Sequence, residues 1–131
     1  MSMPIELIAL VATALLCLCI PLLSSALYAR QVGAKALIGN REGLPEPSGA
    51  AGRAQRAHRN LLENLLPFAA VVLAAMTLQV SNSITVIASL VFLSARVVHA
   101  VCYLFGIPGL RTLAYHVGLW ATLAYAVQLF V

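Results

Sequence analysis

The chain of 131 residues is 62% hydrophobic and only 9% charged, with a mean hydropathy of +0.96. Soluble domains are about 45–50% apolar and about 25% charged, so this composition reads as a single-domain, all-α integral membrane protein. The net charge of +4 arises in one stretch: residues 30–59 hold Arg30, Lys35, Arg41, Arg53, Arg56 and Arg59 against Glu42 and Glu46, six minus two. Such confinement to one loop argues against a nucleic-acid surface.

The first apolar run is Leu7 to Tyr28, whose 22 residues make a helix of about 33 Å at 1.5 Å per residue. No Lys or Arg precedes it, Glu6 does, and the run is too long for the apolar core of a signal peptide. It is read as a retained span, with Pro21 as a kink that neighbouring helices can tolerate. Cys17, Cys19 and Cys102 all fall in apolar runs, and two-residue spacing turns Cys17 and Cys19 to different faces of a helix. They read as small apolar filler, not a disulfide or metal set.

Residues 30–59 form the one long connection, and "NREGLPEPSGAAG" within it favours irregular backbone. Its basic residues place it in the cytoplasm by the positive-inside rule. The second apolar run is Leu61 to Val80, and Ser81 to Ser83 turn it into the third, Ile84 to Phe105. Gly106 to Gly109 supply the next turn, and Leu113 to Val131 form the fourth run. Four crossings put both termini on the side opposite the long connection.

Polar residues interrupt this pattern at helical intervals. Arg53, Arg56, Asn60, Glu63 and Pro67 are spaced 3, 4, 3 and 4 apart, Arg96, His99 and Tyr103 are spaced 3 and 4 apart, and Arg111 and Tyr115 are four apart. Each set forms one stripe on its helix. All three lie in the cytoplasmic halves of their helices, so they are expected to meet at one depth. Arg53, Arg56 and Arg59 can anchor the helix at the headgroups, His99 can be a hydrogen-bonded core histidine, and Tyr28, Tyr115 and Tyr125 can be belt aromatics. Arg96, nine residues before Phe105, lies about 13 Å inside its span. It needs an acid there, and Glu63 is read as that acid, in a structural Glu63–Arg96 pair. No metal site is expected.

"RAHRNLLENLLPF" together with "ARVVHAVCYLFGIPGLRTLAYHVG" resembles the MAPEG superfamily, whose members include microsomal glutathione transferases and the leukotriene and prostaglandin synthases. The resemblance covers most of the chain and is strongest from Gly39 onward; Arg56, Ala57, Asn60 and Glu63 form its most specific core. It implies a four-helix bundle assembled as a homotrimer, with glutathione as co-substrate between subunits on the cytoplasmic side. Arg56, Arg59, Asn60 and Glu63 are then implied to bind the tripeptide, with His99 and Tyr103 completing the cup. Arg111 is implied to face the thiol, beside Thr112 and Tyr115, and Arg30 or Lys35 stands where relatives carry a first-helix arginine. The implied activity is a glutathione transferase or peroxidase acting on lipophilic electrophiles within membrane lipid. A non-catalytic lipid-binding or scaffold role is the alternative, and a proton-coupled transporter ranks last, because no charged path continues across the membrane.

Overall fold

The computed structural model describes residues 3–131. Four helices account for most of them: α1 (Ile5–Val32), α2 (Gly49–Thr77), α3 (Ser83–Phe105) and α4 (Pro108–Val127), with one turn of 3-10 helix at Ala34–Leu37. Helix α1 runs through Pro21 and stops at Gly33, whose φ of +86° is the left-handed conformation that glycine tolerates. Helix α3 starts from a capping box: the Asn82 side chain accepts from the Ile84 and Thr85 N–H groups, and Thr85 accepts in return from the Asn82 N–H. It ends on Gly106 in the left-handed region, φ +72°. Pro108 then opens α4, where its missing N–H is no loss.

The connection between α1 and α2 is shorter than composition implies. Helix α2 begins at Gly49, well ahead of the apolar run at Leu61, because Ala51, Ala54, Ala57 and Leu61 place a buried stripe along its polar first half. The loop before it folds back onto α1. Tyr28 donates its hydroxyl to the Pro45 carbonyl, and Gln31 both donates to Ser48 O (3.0 Å) and accepts from the Ser48 N–H (3.2 Å).

Helices α1, α2 and α3 are long and apolar enough to cross a membrane. Helix α4, at 20 residues, does not reach that apolarity, since Arg111, Tyr115 and His116 interrupt it. It packs chiefly against α3. Large apolar side chains face outward, Leu22 at 72% exposure, Leu66 at 74% and Trp120 at 66%, as a lipid-facing surface requires. Inside, Phe68 and Phe92 stack with centroids 3.8 Å apart and Tyr125 meets Phe68 edge-on at 6.2 Å. Cys17, Ile20, Ala57, Leu61 and Ala100 form a second apolar cluster nearer the long connection.

Candidate functional site

Small residues let α3 and α4 approach closely: Ala95 on one side, Ala114, Gly118 and Ala121 on the other, all buried. Arg96 lies in that seam, fully buried. Its Nη2 donates to the carbonyls of Ala114 (3.1 Å) and Tyr115 (2.9 Å) on α4. Its guanidinium carbon stands 5.5 Å from the Phe92 ring centroid and 5.6 Å from that of Tyr115. Gly118 makes room for it: a Cβ there would sit 2.8 Å from both Cζ and Nε of Arg96.

The aromatic residues of both stripes continue outward from Arg96. His99 contacts Tyr103 edge-on at 5.3 Å and lies 6.4 Å from the Tyr115 ring. The Arg111 guanidinium covers the Tyr103 ring at 4.6 Å, a cation–π contact that orients an otherwise mobile side chain. Tyr115 also touches the exposed His116 at 5.4 Å. Arg96, His99, Tyr103, Arg111 and Tyr115 therefore form one continuous group. Thr112 stands beside it on the exposed side of α4, its hydroxyl donating back to Pro108 O at 3.1 Å.

The α2 stripe is not drawn into that group. Only Arg53 reaches across, its Nε donating to Leu104 O at 2.9 Å. A cation at the carbonyl end of α3 is favourably placed, so Arg53 serves the end of a helix and not the headgroups. Arg56 points outward. Arg59 and Glu63 face each other at 3.8 Å with side chains 78% and 63% exposed. Asn60 is half-buried, and its Oδ1 has no hydrogen-bond partner among the described residues. Arg30 and Lys35 are exposed at and just beyond the end of α1.

Two expectations are corrected here. The Glu63–Arg96 pair does not form within the protomer: Glu63 lies on the outer face of α2 beside Arg59, and two backbone carbonyls with two aromatic faces receive Arg96 instead. Nor do all three stripes meet within the protomer, since that of α2 stays outside the group that α3 and α4 form, while at the other end of the bundle Glu6 is 1% exposed and hydrogen-bonded to Ser81 and Thr85. The one signal of Gly118 in the sequence is its spacing from Ala114 and Ala121, the small-residue pattern of close helix contact. Among the described residues no group of three His, Cys, Asp or Glu side chains is placed to hold a metal ion.

The sequence matches a family model described as the MAPEG family over residues 9–131, which takes in α2, α3 and α4 whole and nearly all of α1. No individual curated protein matches the chain.

Proposed function

Because this chain belongs to the MAPEG family of integral membrane proteins of glutathione and eicosanoid metabolism, we propose that it is a membrane glutathione transferase or peroxidase acting on lipophilic electrophiles. One observation supports this most: the charged stripe of α2 faces out of the protomer, with Arg59 and Glu63 side chains 78% and 63% exposed on a helix apolar enough to cross a membrane. Charged groups turned to hydrocarbon are costly by a few kcal/mol each. A neighbouring protomer that brings its own α3–α4 group against this stripe removes that cost. The assembly is a homotrimer, and each site is shared by two subunits.

Glutathione suits such a site chemically. Its two carboxylates take Arg56 and Arg59, since guanidinium is shaped for bidentate carboxylate capture. Its ammonium takes Glu63, and Asn60 holds an amide. From the partner's α3 and α4 come the side chains of the aromatic group, with His99 and Tyr103 lining the cup. Arg111 stands at the thiol, with Thr112 and Tyr115 able to add hydrogen bonds. The electrophile arrives through the bilayer, so a pocket at its edge meets both reactants. Apolar grooves of about 380 and 410 Å³ run along the outer face of α3 and α4, past Val91, Val117 and Trp120, and suit an apolar guest.

The test is a titration of the purified protein in detergent with glutathione, following thiolate absorbance at neutral pH, on a particle whose mass is measured by light scattering. A saturable thiolate signal on a trimer is expected. A particle of one protomer, or a trimer that binds no thiol, removes the proposal, and in the second case the lipid-binding role replaces it.

The basic connection is proposed to lie in the cytoplasm, with the charged stripe near that end of its span and both termini opposite. Ser48 is exposed in that connection. A Ser48→Cys variant, made in a background with Cys19 replaced by Ser, is expected to react with membrane-impermeant maleimide in inverted vesicles and not in intact cells. Labelling of intact cells reverses the orientation.

A further inference from the structure

At the end of the bundle opposite the α1–α2 connection lies a polar cluster that thiol chemistry leaves unused. Glu6, in the first turn of α1, is 1% exposed. Its Oε1 accepts hydrogen bonds from Ser81 Oγ at 2.7 Å and from Thr85 Oγ1 at 2.8 Å. The basic side chains of the protein all lie within residues 30–59 or 96–116. At 1.5 Å per residue, Arg30 is about 36 Å along α1 from Glu6, and Arg96 about 16 Å along α3 from Thr85. Among the described residues the only salt bridge is Arg59–Glu63. Among the described residues, then, no cation stands beside this buried carboxylate, and hydroxyls are its side-chain partners.

A second observation points to what supplies the charge. The hydroxyls of Ser89 and Tyr125 are buried, each residue 0% exposed, and neither has a hydrogen-bond partner among the described residues. Ser89 follows Thr85 by one turn and shares its face of α3. Tyr125 sits in the apolar cluster that includes Leu10, against which Leu7 and Val80 also pack. These are the chain neighbours of Glu6 and Ser81, so the Tyr125 ring lies at the same end of the bundle. Buried hydroxyls without partners are rare, and each calls for an explanation.

Thr85 narrows the choice. Its Oγ1 accepts from the Asn82 N–H at 2.9 Å and stands 2.8 Å from the Asn82 carbonyl as well as 2.8 Å from Glu6. The hydroxyl has one proton for two acceptors. Whenever that proton turns to the Asn82 carbonyl, Thr85 donates nothing to Glu6 and two oxygens face each other at 2.8 Å, which a cation touching both from the side makes favourable.

We infer that Glu6, Ser81 and Thr85, completed by Ser89 and Tyr125, form a binding site for a sodium ion. The donors are all oxygens, which suits a hard cation and not a thiophilic or imidazole-preferring metal. They carry a single negative charge, which a monovalent ion neutralises, whereas calcium sites gather several carboxylates and six to eight oxygens. The crowding of two hydroxyls around one carboxylate oxygen favours a small ion over potassium. Bound there, the ion joins the start of α1 to the turn between α2 and α3.

The inference is tested on the full chain in detergent, in chloride salts of sodium, potassium or choline at one ionic strength and one pH. Sodium is expected to raise the melting temperature by about 3 °C or more over the other two, and to do so saturably. The protein should also broaden the sodium-23 resonance. Glu6→Gln should abolish both effects. Tyr125→Phe, which keeps the ring packing and removes only the hydroxyl, should move the sodium midpoint roughly tenfold higher, the equivalent of about 1.4 kcal/mol. Equal melting in the three salts overturns the inference, as does broadening that survives Glu6→Gln. Should Glu6→Gln not fold, the parent's salt comparison and the Tyr125→Phe midpoint decide, and an unshifted midpoint counts against the site. None of these readouts involves a thiol, so the result stands apart from the glutathione reading.

Discussion

Arg111→Ala is expected to leave glutathione bound and to slow its conjugation with a chlorodinitrobenzene by about a hundredfold or more. The reason lies in the thiol. A free thiol ionises near pH 8.5, so only a small share is nucleophilic at neutral pH. Lowering that value by about two units takes roughly 2.7 kcal/mol of preferential interaction with the anion. One preorganised cation in a partly dehydrated site is worth that much, since removal of a single charge-stabilising donor typically slows a reaction by about 10²–10³. Arg111 is half-buried, and its stacking over Tyr103 at 4.6 Å already restricts the directions it can point. Affinity should survive, because Arg56, Asn60 and Glu63 hold the rest of the tripeptide. Arg111→Lys should recover part of the rate, keeping the charge but losing the planar fork. Stopped-flow measurement of thiolate absorbance and steady-state conjugation separates binding from activation. A variant that conjugates as fast as the parent removes Arg111 from the mechanism.

Gly118→Ala is expected to destabilise the protein by about 2–3 kcal/mol, at the upper end of what one added methyl does in a packed interior. A guanidinium can usually swing away from a new methyl group. Here it cannot do so freely: the added Cβ would lie 2.8 Å from Cζ and Nε of Arg96, while Nη2 is held by the Ala114 and Tyr115 carbonyls. Moving the group breaks both hydrogen bonds inside a buried seam, and spreading α3 from α4 opens their close contact. The same substitution in an Arg96→Met background should be nearly neutral, because the flexible thioether yields where the planar cation does not. A double-mutant cycle read from detergent melting curves measures this coupling. If Gly118→Ala melts with the parent, or costs as much with Met at position 96, the seam does not hold Arg96 as described. The cycle also bears on the site, since Arg96 bonds the backbone of Tyr115, one turn from Arg111 along α4.

Composition and period alone determined a good deal here. An apolar majority with charge confined to one connection admits no ordinary soluble fold, and the family match over residues 9–131 agrees with the motif built on Arg56, Asn60 and Glu63. The grouping of His99 with Tyr103 was legible as well, because spacings of three and four are set by helix geometry before any packing occurs, whereas Arg111 stacks on Tyr103 of the neighbouring helix. Pairing between helices was not. By charge alone Glu63 suits Arg96, but a helix presents each side chain in one direction, and rotation of α2 turns Glu63 outward toward Arg59. Arg96 is received by carbonyl oxygens and ring faces, which every helix carries and no charge count reveals. The same blindness hid Gly118, whose contribution is an absent methyl group. It also hid Glu6, which read as a polar end residue until the α2–α3 turn brought Ser81 and Thr85 across from 75 and 79 positions away. Local spacing governs which residues share a face; which faces meet is decided by how the helices rotate and close on one another, and that depends on the whole bundle.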